Sequence, residues 1–123
     1  MWTEEIRVHH TNMLHLIHQI LNETKDKTYE EFRKNEPMKE RIFSQMQEIG
    51  EASREIIDIT NEYEEDQELA ETLKALRNAR FNMEAEVGLN MIWGIIENDL
   101  PYIEERLTQK VREKENAGEE DLE

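Results

Sequence analysis

The 123-residue chain has no cysteine, which excludes a disulfide scaffold, a Cys-ligated zinc and a thiolate nucleophile. Glycine (4) and proline (2) are scarce, so the turn-rich composition of a small β protein is missing. No uninterrupted apolar run approaches the roughly 20 residues of a membrane span, and the amino end lacks a basic-then-apolar signal layout. The expectation is a soluble, cytoplasmic chain with no membrane partner. Positive charge is also short: 15 Lys+Arg stand against 30 Asp+Glu, a formal net charge of −15. That balance argues against non-specific nucleic-acid binding, which needs Lys and Arg to neutralise phosphates.

What is present is helical. Glu, Leu, Ile, Met and Lys dominate, and the length supports one domain with a single modest core. At about 100° per residue, Ile6, His10, Met13, Ile17, Ile20 and Leu21 form one stripe, with Thr3 as a cap. Asn22 to Lys27 reads as a loop. Thr28 and Glu31 spell a capping box before a short helix anchored by Phe32. Asn35-Glu36-Pro37 restarts the chain into a third helix carrying Met38, Ile42, Met46, Ile49, Ile56 and Ile57. A charged connector, Asn61 to Asp66, leads to a fourth helix with Leu69, Leu73, Leu76 and Phe81, ended at Gly88. The last helix shows Leu89, Ile92, Trp93, Ile96, Leu100, Ile103, Leu107 and Val111, with a kink or recapping at Asp99 ahead of Pro101. The spacing predicts an all-α antiparallel bundle of four main helices and one short one over residues 1–112. The segment 113–123, with six acids and one lysine, is expected to be a disordered acidic tail.

In so acidic a chain, the windows without acids stand out. Ile6 to Asn22 has none and holds all four histidines; Thr72 to Met83 has none and holds Lys74, Arg77 and Arg80. Arg77 and Arg80 interrupt the apolar stripe of the fourth helix, so each must pair with a bundle glutamate, snorkel, or face a cleft as an anion site. His10 lies on the buried stripe, as a satisfied core histidine or an acid–base group. His15 and His18 point outward at a spacing that could bind a metal, but no carboxylate accompanies them in that window. Glu48-x-x-Glu51 and Glu65-x-x-Glu68 could hold Mg²⁺, as small all-α nucleotide pyrophosphohydrolases do, or be solvated faces.

An ordered set of segments carries a resemblance. Tyr29-Glu30-Glu31-Phe32, the run Gln47 to Ser53 (QEIGEAS), Arg77-Asn78, and Ile92-Trp93 followed by Asp99-Leu100-Pro101 look like the HepT-like proteins of the HEPN superfamily, over about residues 4 to 108. The resemblance implies a small all-α homodimer, the metal-independent RNase toxin of a toxin–antitoxin pair, whose antitoxin is a minimal nucleotidyltransferase. In that family an arginine, four to six residues, and a histidine meet at the dimer cleft. Arg77 matches the arginine and Asn78 its usual neighbour, but the histidine position falls on Asn82 and the tyrosine that the antitoxin can modify with AMP falls on Glu84. Asparagine does not exchange a proton near neutral pH. No modification site, metal or cofactor is expected.

Three functions follow as expectations. The first is a HepT-like scaffold with a degenerate centre, binding a partner or RNA through Arg77, Asn78, Arg80 and His10 with cleavage weak or lost. The second is an active metal-independent RNase in which Arg77 works with another acid–base group such as His10. The third is a Mg²⁺-dependent pyrophosphohydrolase built on the glutamate pairs. Since the tail holds −5 of the charge, −10 stays on the bundle, and any RNA contact should be confined to the acid-free cleft.

Overall fold

Helices begin where a side chain can take up otherwise orphaned amide protons. In a computed structural model, which describes the backbone of residues 3–59, 67–80 and 85–121 and the side chains of 3–57, 67–80 and 85–116, every regular element is helical. Thr3 Oγ1 accepts from Ile6 N (3.2 Å) and starts α1 (Glu4–Thr24). The Thr28/Glu31 capping box forms in full and starts α2 (Tyr29–Lys34). Asn35 Oδ1 accepts from Met38 N (3.1 Å) at the head of α3 (Glu36–Ile59), where Pro37 sits in the first turn. Then come α4 (Gln67–Asn78), α5 (Glu86–Gly94), a π-helical turn (Ile95–Asp99) and α6 (Leu100–Asp121).

The main helices pack antiparallel. Along α1 and α3 the partners run in opposite directions: Arg41 pairs with Glu23, and the Gln45 amide donates to Gln19 Oε1 (3.3 Å). His18 of α1 meets Glu104 of α6, while Arg7, nearer the start of α1, lies in the field of Glu115. α4 returns along α3, with Leu76 opposite Gly50. The core is the set of stripes read from the sequence: Met13, Ile17 and Ile20, then Ile42, Met46 and Ile49, then Leu69 and Leu73, then Ile103 and Leu107, all buried. Each such side chain contributes about 1.5–3 kcal/mol by leaving water, and this tertiary burial holds helices that would be marginal alone. It matters most for α2, which has six residues. Its Phe32 is fully buried and stacks on Trp93 of α5 at 5.2 Å, with Tyr29 edge-on to the same indole at 6.3 Å.

Four boundaries differ from the sequence reading. α1 runs through Thr24 into the expected loop, because Thr24 is buried and its hydroxyl donates to Ile20 O (2.8 Å). α4 ends at Asn78, and Gly88 does not end it: that glycine is buried in the first turn of α5. At Asp99 the chain does not recap. The turn widens to π geometry and Leu100 N–H reaches Ile95 O. A wider turn relieves the clash of the Pro101 ring with the carbonyl four residues back. The Asn98 side-chain amide adds a donor to Gly94 O at the head of this turn (3.1 Å). The stripe survives the insertion, through Ile92, Ile96, Leu100, Ile103 and Leu107. Finally, the expected boundary at 112 falls within α6, whose backbone is helical to Asp121; past Leu107 none of its described side chains is buried. The Asn61–Asp66 connector and Phe81 lie outside the described residues.

Candidate anion site

Gly50 sets the geometry of the site. A Cβ at that position would lie 3.2 Å from the carbonyl oxygen of Leu76, so glycine lets the end of α4 come close to α3. Just past this contact α4 stops, and the last turn presents Arg77 and, beyond the helix end, Arg80. Both line a cavity of about 430 Å³ between α3 and α4, whose α3 wall includes Phe43, Gln47, Glu51 and Arg54. Among the described residues three guanidiniums stand against one carboxylate, a formal lining charge of +2.

Among the described residues no carboxylate neutralises these arginines. Arg7 holds Glu4, Arg33 holds Glu30 and Arg41 holds Glu23, yet Arg54, Arg77 and Arg80 form no ion pair among the described residues. The structural ion pair with a bundle glutamate, one of the readings open for Arg77 and Arg80, is therefore not made there. Arg77 is half-buried and Arg80 exposed, so Arg80 lies past the apolar stripe and not within it. Arg77 Nε donates to Asn78 Oδ1 (3.3 Å), and Arg80 Nη1 donates to Ala79 O (2.9 Å). Asn78 thus holds the Nε edge of Arg77 and leaves its terminal amino groups to meet an anion in the fork geometry suited to phosphate.

Several residues read from the sequence do not join this site. His10 is fully buried, does not line the cavity, and its Nδ1–H donates to Ile6 O (2.7 Å), so it belongs to the core and is separated from Arg77. Asn82 and Glu84 lie outside the described residues. Glu48 and Glu51 part company: Glu51 faces the arginines, whereas Glu48 lines a second groove of about 340 Å³ with His9, Asn12 and His15. They do not share a metal position, Glu65 lies outside the described residues, and no group of three or more potential ligands gathers among the described residues. His15 and His18 also diverge. Gln19 Nε2 donates to His15 Nε2 (3.2 Å), and His18 Nε2 meets Glu104 Oε2 at 2.9 Å. That carboxylate comes from α6, far outside the acid-free window.

Arg54 is the residue that sequence reasoning missed. A faint signal exists: Phe43, Gln47, Gly50 and Arg54 follow helical spacing beside the buried stripe, with a glycine in mid-helix where one is costly. No described helix is long and apolar enough to cross a membrane. No family model, curated protein or solved structure matches the chain.

Proposed function

We propose that this chain is a HepT-like cytoplasmic protein of toxin–antitoxin type: an RNase-type scaffold with a degenerate centre that pairs with a second copy and holds RNA at the α3–α4 cavity without efficient cleavage. The observation that supports the reading is the gathering of Arg54, Arg77 and Arg80 in one cavity, with no carboxylate pairing any of them among the described residues. Unpaired guanidiniums stabilise a bound phosphate and the charge that develops on it during cleavage through the 2′-hydroxyl. Such cleavage also needs a group that takes and returns a proton. The position where the family carries histidine is Asn82, and no histidine lines the cavity. Binding is retained while the proton-transfer step is impaired.

The test is RNA in EDTA. Wild-type protein should bind a structured RNA and leave it largely intact, and Arg77→Ala should weaken the binding. Asn82→His should bring cleavage or cellular toxicity; no change in either would refute the disarmed-scaffold reading. A second reading has one observation in its favour: Glu51 lines the same cavity and is a carboxylate capable of proton transfer. Robust cleavage by wild type, lost in Glu51→Gln and Arg77→Ala alike, would make the protein an active metal-independent RNase. Sedimentation tests the homodimer, and a minimal nucleotidyltransferase that copurifies or is encoded beside it would supply the antitoxin.

A further inference from the structure

Taking the cavity to be the anion site proposed above, we infer that its occupant is a single phosphomonoester dianion, the phosphate end of a strand or of a small molecule, and not an internal stretch of RNA backbone.

Three observations lead there. The first is charge. The described lining carries +2, and a phosphomonoester carries about −1.5 to −2 near neutral pH, whereas an internal phosphodiester carries one negative charge. One terminal phosphate therefore matches the lining, while a diester leaves it undercompensated. The second is extent. A cavity of about 430 Å³ lies in the range of small-molecule pockets, roughly 300–1,000 Å³, and it is walled by two helices held together at Gly50 and Leu76. Extended backbone needs a positive track that continues beyond one pocket. Outside this cavity 29 acids stand against 12 bases, so phosphates a few positions along a strand meet repulsion within a Debye length of about 10 Å at 0.1 M salt.

The third is donor geometry. The guanidiniums come from both walls: Arg54 from α3, Arg77 from the last turn of α4, and Arg80 from just past its end. Donors from opposite walls reach different oxygens of one phosphate, and a terminal phosphate offers three. Phe43 and Met46 give the same cavity an apolar wall for whatever carries the phosphate, and Glu51 supplies an acceptor for a hydroxyl. The glutamate also limits the charge the site will take.

Calorimetry on the full chain at 0.1 M salt tests this with four probes: AMP, adenosine, and one short oligoribonucleotide with either a 5′-phosphate or a 5′-hydroxyl. AMP and the phosphorylated strand should bind, and adenosine and the hydroxyl strand should bind at least about tenfold more weakly. Arg54→Gln should reduce AMP affinity about tenfold while its melting curve stays that of wild type, and Arg54→Lys should recover only part of it because lysine lacks the fork. Tighter binding of the phosphorylated strand than of AMP identifies a strand end as the source, and the reverse identifies a free phosphorylated metabolite; either supports the inference. Equal binding of the two strands, lost in Arg77→Ala, overturns the inference and leaves the RNA-binding reading standing. If no probe binds and neither Arg54→Gln nor Arg77→Ala alters RNA retention, both fall.

Discussion

Two sets of arginines divide this molecule. On α1, α2 and the first half of α3, Arg7, Arg33 and Arg41 each hold a glutamate. Across the second half of α3 and the end of α4, Arg54, Arg77 and Arg80 share a cavity and hold none among the described residues. Acids outnumber bases two to one, so leaving three guanidiniums without carboxylates runs against composition. Two of the first set obey local spacing, since Glu4 and Glu30 lie three residues before their arginines on the same helix face, while Arg41 reaches across to Glu23 of α1. In the second set, α4 has no acid within reach of its last turn, and α3 contributes Glu51 to the cavity without an ion pair to Arg54. Charge pairing stabilises one region; in the other no described carboxylate takes up the guanidiniums, which leaves donors for an anion.

The largest effect should come from the packing that holds α4 in place. Leu73 is fully buried on α4. Leu73→Ala should cost about 2–5 kcal/mol of stability by leaving a cavity between α3 and α4, read as a lowered denaturation midpoint. Anion binding should fall with it. Next, Arg77→Ala should cost about 1.5–3 kcal/mol of affinity for a 5′-phosphorylated oligoribonucleotide, with stability changed by less than about 0.5 kcal/mol. Arg41→Ala is the control from the paired region. If it weakens binding as much as Arg77→Ala does, general electrostatics and not the cavity is responsible. Smaller still is the Arg41–Glu23 pair, which bridges α1 and α3 at the surface. A double-mutant cycle should give about 0.2–1 kcal/mol, shrinking with added salt.

Most of the fold was legible because it rests on periodicity and capping, both local. The stripes on α1 and α3, the Thr28 box and the Asn35 restart all reappear as buried faces and helix starts. The end of α4 was not legible, because a glycine is an ambiguous mark. It can finish a helix or permit close packing, and Gly88 is buried inside α5 while Gly50 performs the second task in α3. Arg77 and Arg80 stood out in the sequence because no acid was near them. Arg54 did not, since Glu51 and Glu55 flank it along the chain and only the return of α4 brings it to the other two. His18 with Glu104 is hidden for the same reason: the pairing depends on which helices are neighbours, and one-dimensional spacing does not encode that.

The smallest expected effect concerns pH, and it carries the comparison from cations to acids. In the paired region a hydrogen bond from Arg33 holds the Glu30 carboxyl below its ordinary value of 4.5, and Arg7 does the same for Glu4. Their folded forms bind protons less tightly than their unfolded forms, so they contribute stability above about 4.5 that is lost as pH falls through the lowered folded values. Asp99, in the π-helical turn, has the opposite sign. Burial raises its carboxyl above the ordinary 3.8. The folded state then takes up the proton first, so this group favours folding as pH falls from above its raised value towards 3.8, and at neutral pH its charge is a penalty. Asp99→Asn should therefore raise the melting temperature slightly at pH 7 and abolish the acid-side gain, whereas Glu30→Gln should lower it slightly at pH 7 and remove part of the acid-side loss. Melting curves from pH 3 to 7 on both variants would separate the two. If Asp99→Asn is destabilising at neutral pH, the carboxylate is performing a structural task in the π turn that desolvation does not describe.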